Sequence, residues 1–115
     1  MSLKNDSFDL IVLGGGAAGS VLAARLSEDS SRKVLLLEAG RRAPETVYMP
    51  AKWISHVDTE IDWKYHTVPQ EGCFMRRLPW PRGKVIGGSG SINAMIYIRG
   101  IPTDFDGWEA SGCSG

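Results

Sequence analysis

The sequence predicts an α/β fold built on a parallel sheet. Three observations carry that reading: an apolar run over residues 8–13, a glycine-rich turn leading straight into an amphipathic stretch, and a second apolar run over residues 34–37. Strand, helix and strand in that order are expected to close as a right-handed parallel unit. With 115 residues the chain has the size of one small domain, and two domains do not fit.

The first run is apolar apart from Asp9 and stops at Gly14. A strand covered on both faces of a parallel sheet reads this way. From Ala17 onward, Ala18, Val21, Leu22 and Leu26 recur at spacings of three and four, which predicts a helix with one buried stripe. The polar tract 27–33 makes the connection to the second strand, which ends at Glu38 and Gly40.

Beyond Gly40, Pro44, Pro50, Pro69, Pro79 and Pro81 interrupt any regular ladder or helix, so the middle of the chain is expected to be extended or irregular. Pro50 suits the first position of a short helix over residues 50–57, and an extended piece is expected over residues 63–68. Thr103 followed three residues later by Asp106 has the spacing of a capping box, for a helix containing Trp108.

Lys plus Arg equals Asp plus Glu at 13 each, so the broad basic field that nucleic acid or an anionic membrane surface requires is absent. Cys73 and Cys113 form no Cys-x-x-Cys pair, and only His56 and His66 could add nitrogen ligands. That set points to neither a disulfide framework nor a zinc site. The opening residues lack a charged leader with a signal-type apolar run, and no stretch approaches the ~18 apolar residues of a spanning helix. A cytoplasmic location is the default, with peripheral attachment to the inner membrane face left open.

Gly14, Gly16 and Gly19 form G-x-G-x-x-G between the expected strand and helix, with Gly15, Ala17 and Ala18 filling the intervening places. The first glycine permits the tight turn, the second lets backbone approach a pyrophosphate, and the third lets helix and strand pack closely. The helix amino terminus then offers unpaired N–H groups and partial positive charge to phosphates. Glu38, 24 residues after Gly14, is placed to accept from the ribose hydroxyls of an adenosine, with Ala39 beside it. The pattern fits a dinucleotide and does not separate NAD from FAD. A glycine turn without ligand and a solvated strand-end carboxylate are the plainer readings, and the order of elements weighs against both.

A second tract, PRGKVIGGSGSINAMIYIRG over residues 81–100, is the most specific feature of the chain. Gly87, Gly88 and Gly90 leave its backbone free for positive φ and close ligand approach, while Ser89, Ser91 and Asn93 add small polar groups. A second anion-facing loop is the expectation. A flexible linker is rejected, because the apolar residues 93–98 that follow demand burial.

GGGAAG at residues 14–19 with LLLEAG at 35–40, and GKVIGGSGSIN at 83–93 continued by AMIYIRG, together resemble the glucose-methanol-choline family of flavoproteins. DWKYHTVPQ at 62–70 and DFDGWEASG at 104–112 are also similar to that family, above all to its choline and aliphatic-alcohol dehydrogenase branches. The resemblance implies a Rossmann-like FAD-binding domain, with the Gly14–Gly19 turn under the pyrophosphate and Glu38 on the ribose. It further implies that Gly83, Lys84, Val85, Gly87, Gly88 and the stretch Asn93, Ala94, Met95 and Ile96 lie against the phosphates and flavin. Members with covalent flavin attach it through a histidine in this tract; here Ile92 precedes Asn93, so noncovalent FAD is expected.

The family's reaction moves a hydride from an alcohol carbon to the flavin while a late histidine takes the hydroxyl proton. No counterpart of that segment is present, so no catalytic residue is assigned and His56 and His66 are left without a role. The chain is expected to be the amino-terminal part of a larger FAD domain, with the substrate domain that meets the alcohol outside it. The alternatives are a noncatalytic dinucleotide-binding module and a fragment of an NAD-dependent dehydrogenase.

Overall fold

A computed structural model of the chain describes residues 7–113. Strand β1 (Leu10–Leu13), helix α1 (Ala17–Leu26) and strand β2 (Val34–Leu37) follow one another as expected. The two strands pair in parallel, with Leu10 opposite Val34 and Leu13 opposite Leu37. At the base of the pair the Asp9 carboxylate accepts the Lys33 N–H at 2.8 Å, so the polar exception in the apolar run ties the two strand starts together. Pairing begins at Leu10, two residues later than the apolar run itself.

The middle of the chain is irregular, as its prolines require. Pro50–His56 forms a 3-10 helix with Pro50 in its first turn. Two short strands follow, β3 (Tyr65–His66) and β4 (Pro79–Trp80), pairing antiparallel with Tyr65 opposite Trp80. Single bridges join Asp62 to Gly83 and Arg41 to Val85, drawing the second glycine tract against the middle segment and against the chain just after β2. A small core of Ile61, Val85 and Ile92 lies under that tract, with Ala43 and Val47 packed on it.

Helix α2 (Pro102–Ala110) contains Trp108, but its amino terminus differs from the sequence expectation. Pro102 occupies the first turn, and the Asp104 side chain accepts the Ile101 N–H at 2.9 Å. The reciprocal cap therefore falls on Ile101 and Asp104, not on Thr103 and Asp106, because proline fixes the first helical position one residue earlier than a threonine cap would.

Three expectations of burial are corrected. On β1, Val12 is buried while Ile11 and Leu13 are 58% and 79% exposed, so the strand is not covered on both faces. The α1 stripe is open, with Val21 and Leu22 more than half exposed. Residues 93–100 have no regular structure, and Ile96, Tyr97 and Ile98 stand out in solvent. Apolar patterning states which residues favour burial, and in each case the described residues supply no surface to cover them.

Candidate functional site

The first glycine turn is closed by backbone and carboxylate together. Gly14 adopts φ +91°, and its N–H donates to the Leu37 carbonyl at 2.7 Å, which ties the turn to the end of β2. The buried Gly15 N–H donates to Glu38 Oε2 at 2.7 Å, and the Gly40 N–H donates to Glu38 Oε1 at 2.8 Å. Gly16 caps α1 without any side-chain hydrogen bond, and no acidic residue lies in the first turn. The partial positive charge of the helix amino terminus is therefore left for an outside anion. At Gly19 an added Cβ would fall 1.8 Å from the Gly14 carbonyl oxygen, so only glycine lets α1 approach the turn this closely.

The second tract folds back onto the first. Gly87 and Gly88 both take positive φ, and the Gly87 N–H donates to the Gly15 carbonyl at 2.8 Å. A Cβ on Gly88 would meet the Gly16 Cα at 2.9 Å, and one on Gly83 would meet the Gly88 carbonyl oxygen at 2.2 Å. Two glycine tracts some seventy residues apart thus touch backbone to backbone.

Between them lies a cleft of about 710 Å³. Leu13, Gly14 and Gly16 form one side, Leu37, Glu38 and Ala39 the floor at the end of β2, and Gly83, Gly88 and Ser89 the side opposite. Trp63 completes the wall. Bare backbone donors, an open helix amino terminus and a carboxylate acceptor in one cleft fit a ligand with phosphates at one end and vicinal hydroxyls at the other. The match to the GMC oxidoreductase family model runs over residues 8–115, nearly the whole chain.

The chain belongs to the GMC oxidoreductase family. It is 46% identical to mitochondrial choline dehydrogenase of Mus musculus over 99% of its own length. Its structure superposes on pyridoxine 4-oxidase from Mesorbium loti with a TM-score of 0.74 and 45% identity over 90% of the chain. An FAD-dependent oxidoreductase from Chaetomium thermophilum matches with a TM-score of 0.64 and 33% identity over 92% of the chain. The chain spans about a fifth of the length of these relatives, covering 21%, 21% and 18% of them respectively.

Not every residue expected at the site stands on this family cleft. Val85 is wholly buried, so its side chain supports the loop from beneath. Lys84 places its ammonium 4.9 Å from the centre of the Trp63 ring. Asn93 and Ala94 line a smaller, separate cavity of about 240 Å³ with Trp53 and Ile92, and Ser89 borders both spaces. Met95 and Ile96 are exposed. The Asn93 side chain instead turns its own loop, donating to the Gly90 carbonyl and accepting the Met95 N–H, each at 2.6 Å.

Sequence reasoning missed Trp63, which no local pattern marks. It also missed Asp62, the pillar beside it. Asp62 is buried, and its carboxylate accepts the N–H groups of Asp58, Lys64 and Arg82 at 2.9, 3.0 and 2.9 Å. Burial pushes its pKa up, but the three N–H donors and the charge of Lys64 outweigh that and hold the carboxyl below its ordinary value of 3.8.

His56 is buried, with Nε2 at 3.1 Å from Thr46 Oγ1, and His66 is exposed on β3. Neither borders the cleft. Both cysteines are free, and among the described residues no three potential metal ligands come together.

Proposed function

We propose that this chain holds the ADP half of FAD in a flavin-dependent oxidoreductase acting on CH–OH groups, of the choline or aliphatic and aryl alcohol type. The observation that carries the reading is the contact between the two glycine tracts over one cleft. A single dinucleotide-binding turn serves either cofactor, whereas a second backbone loop laid against it suits a ligand reaching well past the first pyrophosphate site. The relative named for its FAD dependence favours flavin over nicotinamide on the same grounds.

In this reading the start of α1 binds the pyrophosphate through backbone N–H groups, helped by its uncompensated dipole. Glu38 accepts from the ribose hydroxyls, exchanging part of its hold on Gly15 and Gly40. Gly16 and Gly88 keep side chains out of the cleft, and Gly83 lets the second loop close. Lys84, Val85 and Gly87 hold that loop in place, and the stretch from Asn93 to Ile96 lies toward the flavin. Bound FAD supplies the hydride acceptor. No residue of this chain is assigned the base that takes the hydroxyl proton, and the alcohol is met by parts outside it. With Ile92 where an attaching histidine would stand, FAD is held without a covalent bond.

The test is the chromophore of the complete protein. A yellow flavin that leaves the polypeptide on denaturation is expected, with alcohol-dependent bleaching of its spectrum. A protein that takes NAD and carries no flavin overturns the reading.

Among the described residues no helix is long and apolar enough to cross a membrane. The cytoplasm is our default compartment, open to peripheral association with the inner face of a membrane. The mitochondrial setting of the murine relative supports a second reading, and cell fractionation separates the two.

A further inference from the structure

Trp63 is the one residue lining the cleft that belongs neither to the strand-turn-helix-strand unit nor to the second glycine tract. Its backbone is pinned from both sides. The Trp63 N–H donates to the Arg82 carbonyl at 2.8 Å, and the Lys84 N–H donates to the Ile61 carbonyl at 2.8 Å, so the middle segment is laced to the tract just before its glycines. The Asp62 carboxylate fastens the same crossing.

The indole is held as firmly as the backbone. Tyr65 stacks on it with ring centres 5.7 Å apart and planes 7° from parallel, and the Lys84 ammonium lies over it. Despite this fixing, Trp63 remains 40% exposed, beside Glu38 and Ala39 on the cleft wall. A rigid aromatic surface costs little conformational freedom when it meets a ligand, and it covers a ribose or purine face well. The cation on the ring adds positive charge next to a space suited to phosphates.

We infer that Trp63, braced by Lys84, is a positioning residue for the ADP half of FAD. Its indole walls the cleft opposite the Gly14–Gly16 turn, and Lys84 both orients the ring and contributes counter-charge. The inference rests on the proposed FAD function and assigns a specific residue to it.

The test uses apoprotein of the complete oxidoreductase, titrated with FAD and separately with ADP as competitor. Trp63→Ala is expected to raise the Kd for both by about tenfold, while Trp63→Phe, which keeps an aromatic face, stays within about threefold of wild type. Lys84→Met is expected to weaken both ligands and to flatten the salt dependence of FAD binding. If Trp63→Ala does not fold, Trp63→Leu keeps the apolar bulk, and the same loss is expected.

Wild-type affinity for FAD and ADP in the alanine or leucine variant overturns the inference. So does a phenylalanine variant as weak as alanine with an equally lowered melting temperature, since that marks a purely structural tryptophan. Wild-type protein that binds neither FAD nor ADP brings down the proposed function instead.

Discussion

Glu38 and Gly15 lie 23 residues apart, and the carboxylate of one accepts the backbone N–H of the other at 2.7 Å. The acid at the end of β2 is thus part of the turn before any ligand arrives, and its second oxygen holds Gly40. Replacing Glu38 with Gln leaves one good acceptor where two are in use. Hydrogen bonds to a charged group contribute roughly 1.5–3 kcal/mol, so FAD affinity of the complete protein is expected to fall about tenfold or more. Flavin fluorescence titration of Glu38→Gln checks this, and an unchanged Kd would reduce Glu38 to a loop brace.

Gly16 and Gly19 belong to one motif and separate cleanly by substitution. A Cβ at Gly19 would strike the Gly14 carbonyl at 1.8 Å, so Gly19→Ala is expected to cost about 1–3 kcal/mol or more in stability. At Gly16 the nearest atom to a Cβ is the Gly88 Cα, at an ordinary 3.9 Å. Gly16→Val is therefore expected to keep much more of the fold while losing FAD. Melting curves and FAD titrations of the two variants side by side decide it, and equal loss of stability in both would count against the assignment.

Asp62 makes the region acid-sensitive. Its folded pKa lies below its ordinary value because the three N–H donors and Lys64 outweigh the effect of burial. A depressed carboxyl stabilises the fold fully above the unfolded pKa of about 3.9, and that contribution is lost as pH falls through the folded pKa. Denaturant midpoints measured from neutral pH down into that acid range are expected to drop for wild type. Asp62→Asn should start lower at neutral pH, by about 1–3 kcal/mol, and lose this acid dependence.

The 115-residue chain expressed alone is expected to associate and to oxidise no alcohol, even with FAD and an artificial acceptor. Ile11, Leu13, Val21 and Leu22 are all more than half exposed, and the parallel pair of β1 and β2 has open edges. A positioned base typically contributes about 10²–10⁴ in rate, and this chain is assigned none. Light scattering and a dye-reduction assay check both parts; monomeric, active protein would point to His56 or His66 as the base.

How far the sequence could be read follows the range of the interactions. The β1–turn–α1–β2 unit was legible because its glycines, its apolar runs and Glu38 act on near neighbours or on the adjacent strand. The cap of α2 was misplaced because Thr103 and Asp106 have the right spacing, while Pro102 decides the first turn. Burial of residues 93–98 was over-read, since apolar character names no partner. Trp63 reaches the cleft through the Asp62–Gly83 bridge, a contact between segments some twenty residues apart that leaves no periodic trace. The contact of Gly87 with Gly15 is longer still in range, so two glycine tracts were visible but their joining was not.

That joining sets a timetable for synthesis. As the chain leaves the ribosome, the first turn, α1 and β2 emerge early, yet the opposite wall of the cleft waits for Gly88 and Ser89. At roughly 5–20 residues per second the interval is several seconds, during which the half-made pocket has only one lip. Vitamin-derived cofactor captured in that window would be loosely held, and loading becomes firm only when the later loop arrives and locks to Gly15. Flavin supply during translation, rather than afterwards, thereby becomes a factor in how much of this protein matures.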